Sequence, residues 1–346
     1  ALDHFSEGLL LWPDNAVARY LAANAALQVG DVDRAIEEYR YAVRLDAEAT
    51  DARIELARLY MADGDLNVAL QIVRHGGETP DVQLALLDLE IVTRLTRRPV
   101  GMPSHLFKFN QIPGFREQSV KNMAKVIREE NSPEESVAFI EGLSLDLMAP
   151  KNGPILLELI RGLIQSGRLS DASGLADGAV RMNPALPSSH VALGLVLESS
   201  SDPKANPGAA FDRASELNPA SAAALSGRAR ISRAGGKNTE ATELYRLAAQ
   251  SDPFSTDALW PAVEILRSTS QSPELESTLE EILERDPYDG AAAFLLAQSR
   301  LQQGENEQAL WLARRGVRFA ATPESEALLK SLSAPSSALT KSSPSD

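Results

Sequence analysis

The chain has 346 residues and a formal net charge of −14 at pH 7. That acidic balance argues against general binding to nucleic acid or anionic membranes. The absence of cysteine excludes disulfides, thiolate metal sites, cysteine nucleophiles and covalent c-type haem. Hydrophobic residues make up 44%, enough to stack helices, whereas 5% aromatic is thin for a globular enzyme. No apolar run reaches the roughly 18 residues of a membrane span, and no secretory signal is visible.

Taken in order, Ala1-Leu2-Asp3-His4-Phe5 reads as the middle of a helix, which implies a processed chain or part of a longer protein. Residues 16–49 predict two short amphipathic helices joined by a tight turn at Gly30-Asp31. The pattern repeats from Thr50 through Ala57, Tyr60, Gly64 and Ala69, and His75-Gly76-Gly77 caps it. A further helix covers Asp81–Leu95. The segment RLTRRPVGMPSHLFKFNQIPGF then forbids a continuous helix, because prolines and glycines interrupt it. Within it Leu106, Phe107, Phe109, Ile112 and Phe115 are too apolar for a free linker. Either they fold onto the scaffold or they form a partner-binding or oligomer-forming loop.

Two helices resume across 116–150, the second opening at Ser132-Pro133-Glu134-Glu135. From Gly153 the pattern is regular, with one turn enlarged by SSSDPKANPG. Pro323–Leu332 reads as a capping helix with polar Glu324, Glu326 and Lys330. The end of the chain, SAPSSALTKSSPSD, is low-complexity and is expected to be disordered. The expected organisation is an N-terminal array (1–94), an irregular apolar loop (95–115), a C-terminal array (116–321), a cap (322–332) and a tail (333–346).

A fixed spacing underlies these elements. Numbering one unit from Ala16, position 32 holds Pro13, Ala47, then the poor matches Asp81 and Phe115, then Pro150, Pro184, Pro219, Pro253, Pro287 and Ala321. Proline there stops one helix and starts the next unit. Position 20 holds Ala1, Ala35, Ala69, Ala138, Ala172, Ala241 and Ala309. Position 24 holds Phe5, Tyr39, Phe211, Tyr245 and Leu279. Gly30, Gly64, Gly167, Gly236 and Gly304 fall at the inter-helix turn, where a left-handed residue is needed.

These positions resemble the tetratricopeptide repeat, a 34-residue helix-turn-helix unit. The resemblance implies an all-α, right-handed superhelical solenoid of antiparallel helix pairs. Small residues at positions 8 and 20 would let helices A and B cross closely, and a bulky residue at 24 would fill the groove between units. It also implies a non-enzymatic scaffold or adaptor that binds a protein or peptide in its concave face. The alternatives are an accessory arm of a larger enzyme or multihaem electron-transfer protein, and structural self-assembly.

In such repeats helix A positions 2, 5, 9 and 12 face the groove. Position 5 gives Tyr20, Ile54, Leu157, Val191, Ser226, Trp260 and Phe294. Position 9 gives Asn24, Arg58, Arg161, Arg230, Glu264 and Gln298, and position 12 adds Met61, Arg233 and Arg267. Aromatic anchors, arginines and amides suit an extended peptide bearing carboxylates. The chaperone-binding carboxylate clamp is not matched, since Tyr20 replaces its lysine and Glu55 stands where it wants asparagine.

No catalytic constellation is present. The four histidines lie in unrelated contexts, and no H-E-x-x-H occurs. Glu37-Glu38, Glu129-Glu130 and Glu280-Glu281 read as solvated helix faces. Gly194 and Gly227 read as helix-packing glycines rather than phosphate loops. No cofactor, metal or nucleic-acid partner is expected.

Overall fold

The computed structural model describes residues 12–74, 81–96, 109, 111–130, 132–202, 204–253, 255–269 and 272–333. Every regular element among them is helical, and none is a strand. No helix among them is long and apolar enough to cross a membrane. Residues 1–5, the His75-Gly76-Gly77 cap, Leu106, Phe107 and the expected tail from Ala334 onward lie outside the described residues.

The helices group into two compact units, one formed by 1–63 with 270–346 and the other by 64–269. The first unit contains α1 (Ala16–Gln28), α2 (Val32–Leu45) and α3 (Thr50–Ala62). The second contains α4 (Leu66–Arg74), α5 (Val82–Thr96), α6 (Phe115–Glu130), α7 (Pro133–Gly142), α8 (Gly153–Gln165) and α9 (Leu169–Met182). It continues with α10 (Pro187–Glu198), α11 (Pro207–Leu217), α12 (Ala222–Ala234), α13 (Asn238–Ser251) and α14 (Leu259–Thr269). The first unit is completed by α15 (Ser272–Arg285), α16 (Gly290–Gln302), α17 (Asn306–Phe319) and α18 (Pro323–Ser333).

Local chemistry sets the helix boundaries. Asn15, Asp81, Ser132, Asn206, Ser221 and Asp289 each accept a first-turn backbone N–H, satisfying donors that a helix leaves unpaired. The five predicted turn glycines all adopt positive φ, from 75° to 81°. Before the repeat prolines a polar residue recurs: Asn218 and Asp286 accept the N–H two residues on, at 3.0 Å. Asp46 does the same before Ala47, at 2.9 Å. This Asx turn ends one helix while proline fixes φ for the exit.

Packing follows the repeat positions. Ala35, Ala69, Ala172, Ala241 and Ala309 are fully buried, so the crossing helices approach without a side chain between them. Ala138 departs from the pattern. It is exposed, and its neighbour Val137 is buried against Gly162 instead, a one-residue shift of register in the unit that follows the irregular segment. Phe211 has no exposed surface. Its burial contributes about 1.5–3 kcal/mol, and its ring lies against Gly194 and Gly227.

In the second unit each helix packs on its sequence neighbour from α4 through α14. The first helices of successive pairs also adjoin: α6 on α8, α8 on α10, and α10 on α12. That row of first helices builds a continuous face above a shared core of Leu156, Leu159, Ile160, Leu163, Val191 and Phe211.

Candidate peptide-binding face

The second unit brings Arg161, Arg230, Arg233 and Glu264 onto this row, with partners the repeat rule did not name. Glu158 of α8 is buried, and two guanidiniums converge on it: Arg128 of α6 at 2.7 Å and Arg161 at 3.3 Å. Arg230 of α12 grips Glu198 of α10 through Nε and Nη2, with contacts from 2.7 to 3.1 Å. Its guanidinium also stands 5.6 Å from the Phe211 ring, within cation–π range. Arg233 reaches Glu264 of α14 at 2.9 Å. Lys125 of α6 meets both carboxylate oxygens of Asp257, just before α14, at 3.0 and 3.1 Å.

The result is a chain of alternating charges across consecutive repeats. Its electrostatics follow from crowding. Burial lowers the Arg161 pKa, Arg128 and Arg230 add repulsion, and Glu158 opposes the shift. Beneath the row, burial raises the Tyr245 hydroxyl above its ordinary value, while Arg230 and Arg233 pull it back. The cations of this face are therefore neutralised largely by acids of the same face, and Arg161 is the guanidinium that shares its carboxylate with another.

Trp260 is half-buried on α14, and Arg267, one helical turn beyond Val263, is exposed. At position 5, however, Ile54, Leu157 and Val191 are buried in the core. Apolar side chains there turn against the neighbouring helix, and this overturns their expected place in the groove.

In the first unit Tyr20 and Asn24 flank buried Tyr39. The Tyr20 and Tyr39 ring centroids lie 5.9 Å apart, and the Tyr39 hydroxyl donates to Asn24 Oδ1. Arg58 pairs with Glu55 on its own helix at 3.2 Å. Phe294 is half-buried, its β-carbon close to Gly316 of α17, and Gln298 is exposed.

The apolar segment divides. Phe109 and Phe115 are buried, with ring centroids 5.3 Å apart, in the core that also holds Ala85, Leu89 and Met123. That removes them as interface residues: they patch the scaffold. Ile112 is exposed.

Glu198 was legible in sequence, because it follows Pro187 by the same interval that separates Arg233 from Ala222. Glu158, Arg128 and Lys125 were not: Glu158 stands at position 6, outside the groove positions, and Arg128 and Lys125 lie on α6, which directly follows the irregular segment. Among the described residues no group of three or more His, Asp or Glu could hold a metal ion.

Two family models, both described as tetratricopeptide repeat, match residues 26–85 and 208–256. No curated protein matches the chain by sequence. Among solved structures, a chain of the APC/C hetero-tetramer Cut9–Hcn1 is 15% identical, with TM-score 0.46 over 96% of this chain and 68% of that one. Yeast Tom70 is 12% identical, with TM-score 0.37 over 96% of this chain and 76% of that one.

Proposed function

Because this chain carries tetratricopeptide repeats, we propose that it is a non-enzymatic interaction scaffold that binds an extended peptide segment of a protein partner. The binding face is the row of first helices in the second unit, α8, α10, α12 and α14. The observation that supports this is the engagement of Arg161. It is half-exposed, and its carboxylate, Glu158, is also approached by Arg128. A guanidinium in that state gains from a second carboxylate, because charge-assisted pairs strengthen where water is partly excluded. The partner segment on this reading carries Asp or Glu residues, with an apolar side chain set against Trp260.

Peptides selected from a random displayed library on the folded chain test the proposal. The expected consensus is acidic with an apolar anchor. Trp260→Ala should then weaken binding of a selected peptide by at least ~2 kcal/mol without lowering the melting temperature. A consensus without acids, or a Trp260→Ala variant that melts early yet binds normally, overturns the assignment.

A further inference from the structure

The first unit contains a contact that repeat periodicity does not encode. Between α15 and α16 the turn Asp286-Pro287-Tyr288-Asp289 lies against α3. The Tyr288 hydroxyl donates to the Glu55 carboxylate and stands 3.2 Å from the Glu55 carbonyl oxygen. Its ring packs edge-on against Phe319 of α17, at 5.4 Å between centroids and 89° between planes. Buried Arg315 of α17 donates to the Pro287 carbonyl at 2.6 Å. The turn is thus held from both sides.

Two further contacts tie α17 to the N-terminal helices. Arg318 of α17 reaches Asp63, at the end of α3, at 2.7 Å. The turn between α1 and α2 presses on α17 so closely that a β-carbon on Gly30 would stand 2.6 Å from the Trp311 carbonyl oxygen.

Glu55 and Arg58 lie on the helix A face of the second repeat, beside Asn24 and Tyr39 of the first. We infer that the turn 286–289 is an internal ligand of this face: Tyr288 occupies Glu55, so that the N-terminal repeats are self-engaged. A segment from another protein that donates to the Glu55 carboxylate competes with the Tyr288 hydroxyl for it, while Arg58 stays exposed beside it. The proposal does not depend on the second unit's binding face. Its chemistry is specific, because the Glu55 carboxylate, 19% exposed and already paired with Arg58, takes a second donor from the phenol, and phenylalanine cannot supply one.

The sequence contains no cysteine, which allows a clean test. Asp33 and Arg314 are both exposed and line one cleft. A chain carrying Asp33→Cys and Arg314→Cys, treated with a short bismaleimide, should cross-link within one molecule. Adding Tyr288→Phe should slow the initial cross-linking rate several-fold, and Tyr288→Ala should slow it further, with helical circular dichroism preserved in the Phe variant. Three results overturn the inference: no cross-link in the parent, cross-linked dimers in place of monomers, or an unchanged rate in Tyr288→Phe.

Discussion

A β-carbon placed on Gly227 of α12 would stand 2.4 Å from Cδ1 of Phe211 on α11. Gly194 of α10 makes a matching approach to Cε1 at 2.5 Å. The ring is therefore clamped between two glycines from different repeats. Glycine in mid-helix ordinarily costs about 1 kcal/mol relative to alanine, yet here the sign reverses. Gly227→Ala should destabilise by ~1–3 kcal/mol, because the ring has nowhere to go. Thermal or denaturant unfolding measures this, and a stabilised variant would show that the clamp is loose.

The same clamp connects packing to the proposed binding face, since Arg230 lies over the Phe211 ring. A smaller ring-stack disturbance, Phe211→Leu, should keep the fold while weakening binding of a selected acidic peptide several-fold. Calorimetric titration of the folded variant reads the effect. Unchanged affinity would mean that Glu198 alone fixes Arg230.

Ala35 and Ala172 are fully buried where the two helices of a repeat cross. Ala35→Phe or Ala172→Phe should each cost ~1–3 kcal/mol through overpacking. Ala138→Phe, at the formally equivalent but exposed position, should fall within ~0.5 kcal/mol of the parent. Similar losses in all three variants would remove the register shift inferred at Val137.

The repeat pitch, the crossing alanines, the turn glycines and the Phe211 pocket were all legible because they express contacts between adjacent helices. Each such contact needs only a residue type at a fixed spacing. Position 5 was less legible, because tyrosine, tryptophan and isoleucine there differ in whether the neighbouring helix can cover them. Ile54 is covered, and Trp260 is only half so. The Glu55–Tyr288 contact was not legible at all. It joins residues 233 apart, and small rotations accumulated over many repeats decide whether they meet. Glu158 escaped notice because position 6 was not among the groove positions considered.

Asp286 offers a pH test of the self-engaged turn. Burial raises its pKa above the ordinary carboxylate value, opposed by the Tyr288 N–H, Arg58 and Arg315. An acid with a raised folded-state pKa binds its proton more tightly in the native protein. Stability is therefore lost as pH rises from the unfolded value, about 3.9, through the raised one. Asp286→Asn should remove that loss while keeping an acceptor for Tyr288. The melting temperature of the variant minus that of the parent should grow between about pH 4 and about pH 7. Parallel curves would mean that Asp286 stays solvated.

The two acids of the proposed binding row separate structural pairing from partner-facing pairing. The Glu158 side chain is 3% exposed and holds Arg128, 15% exposed, and Arg161, 36% exposed, so Glu158→Leu strands chiefly the Arg128 charge and should cost ~2–3 kcal/mol, less than breaking a fully buried pair because water screens Arg161. The Glu198 side chain is 28% exposed, and Arg230 is 37% exposed. A pair that open contributes at most ~1 kcal/mol, and Glu198→Gln should barely move the melting temperature. It releases Arg230 from its internal carboxylate, however, and leaves the row more cationic. Binding of an acidic selected peptide should therefore tighten, with a steeper dependence on salt. If Glu198→Gln weakens binding instead, the partner reads the paired arginine as a fixed surface, and the competition between internal and external carboxylates is not how this face recognises its ligand.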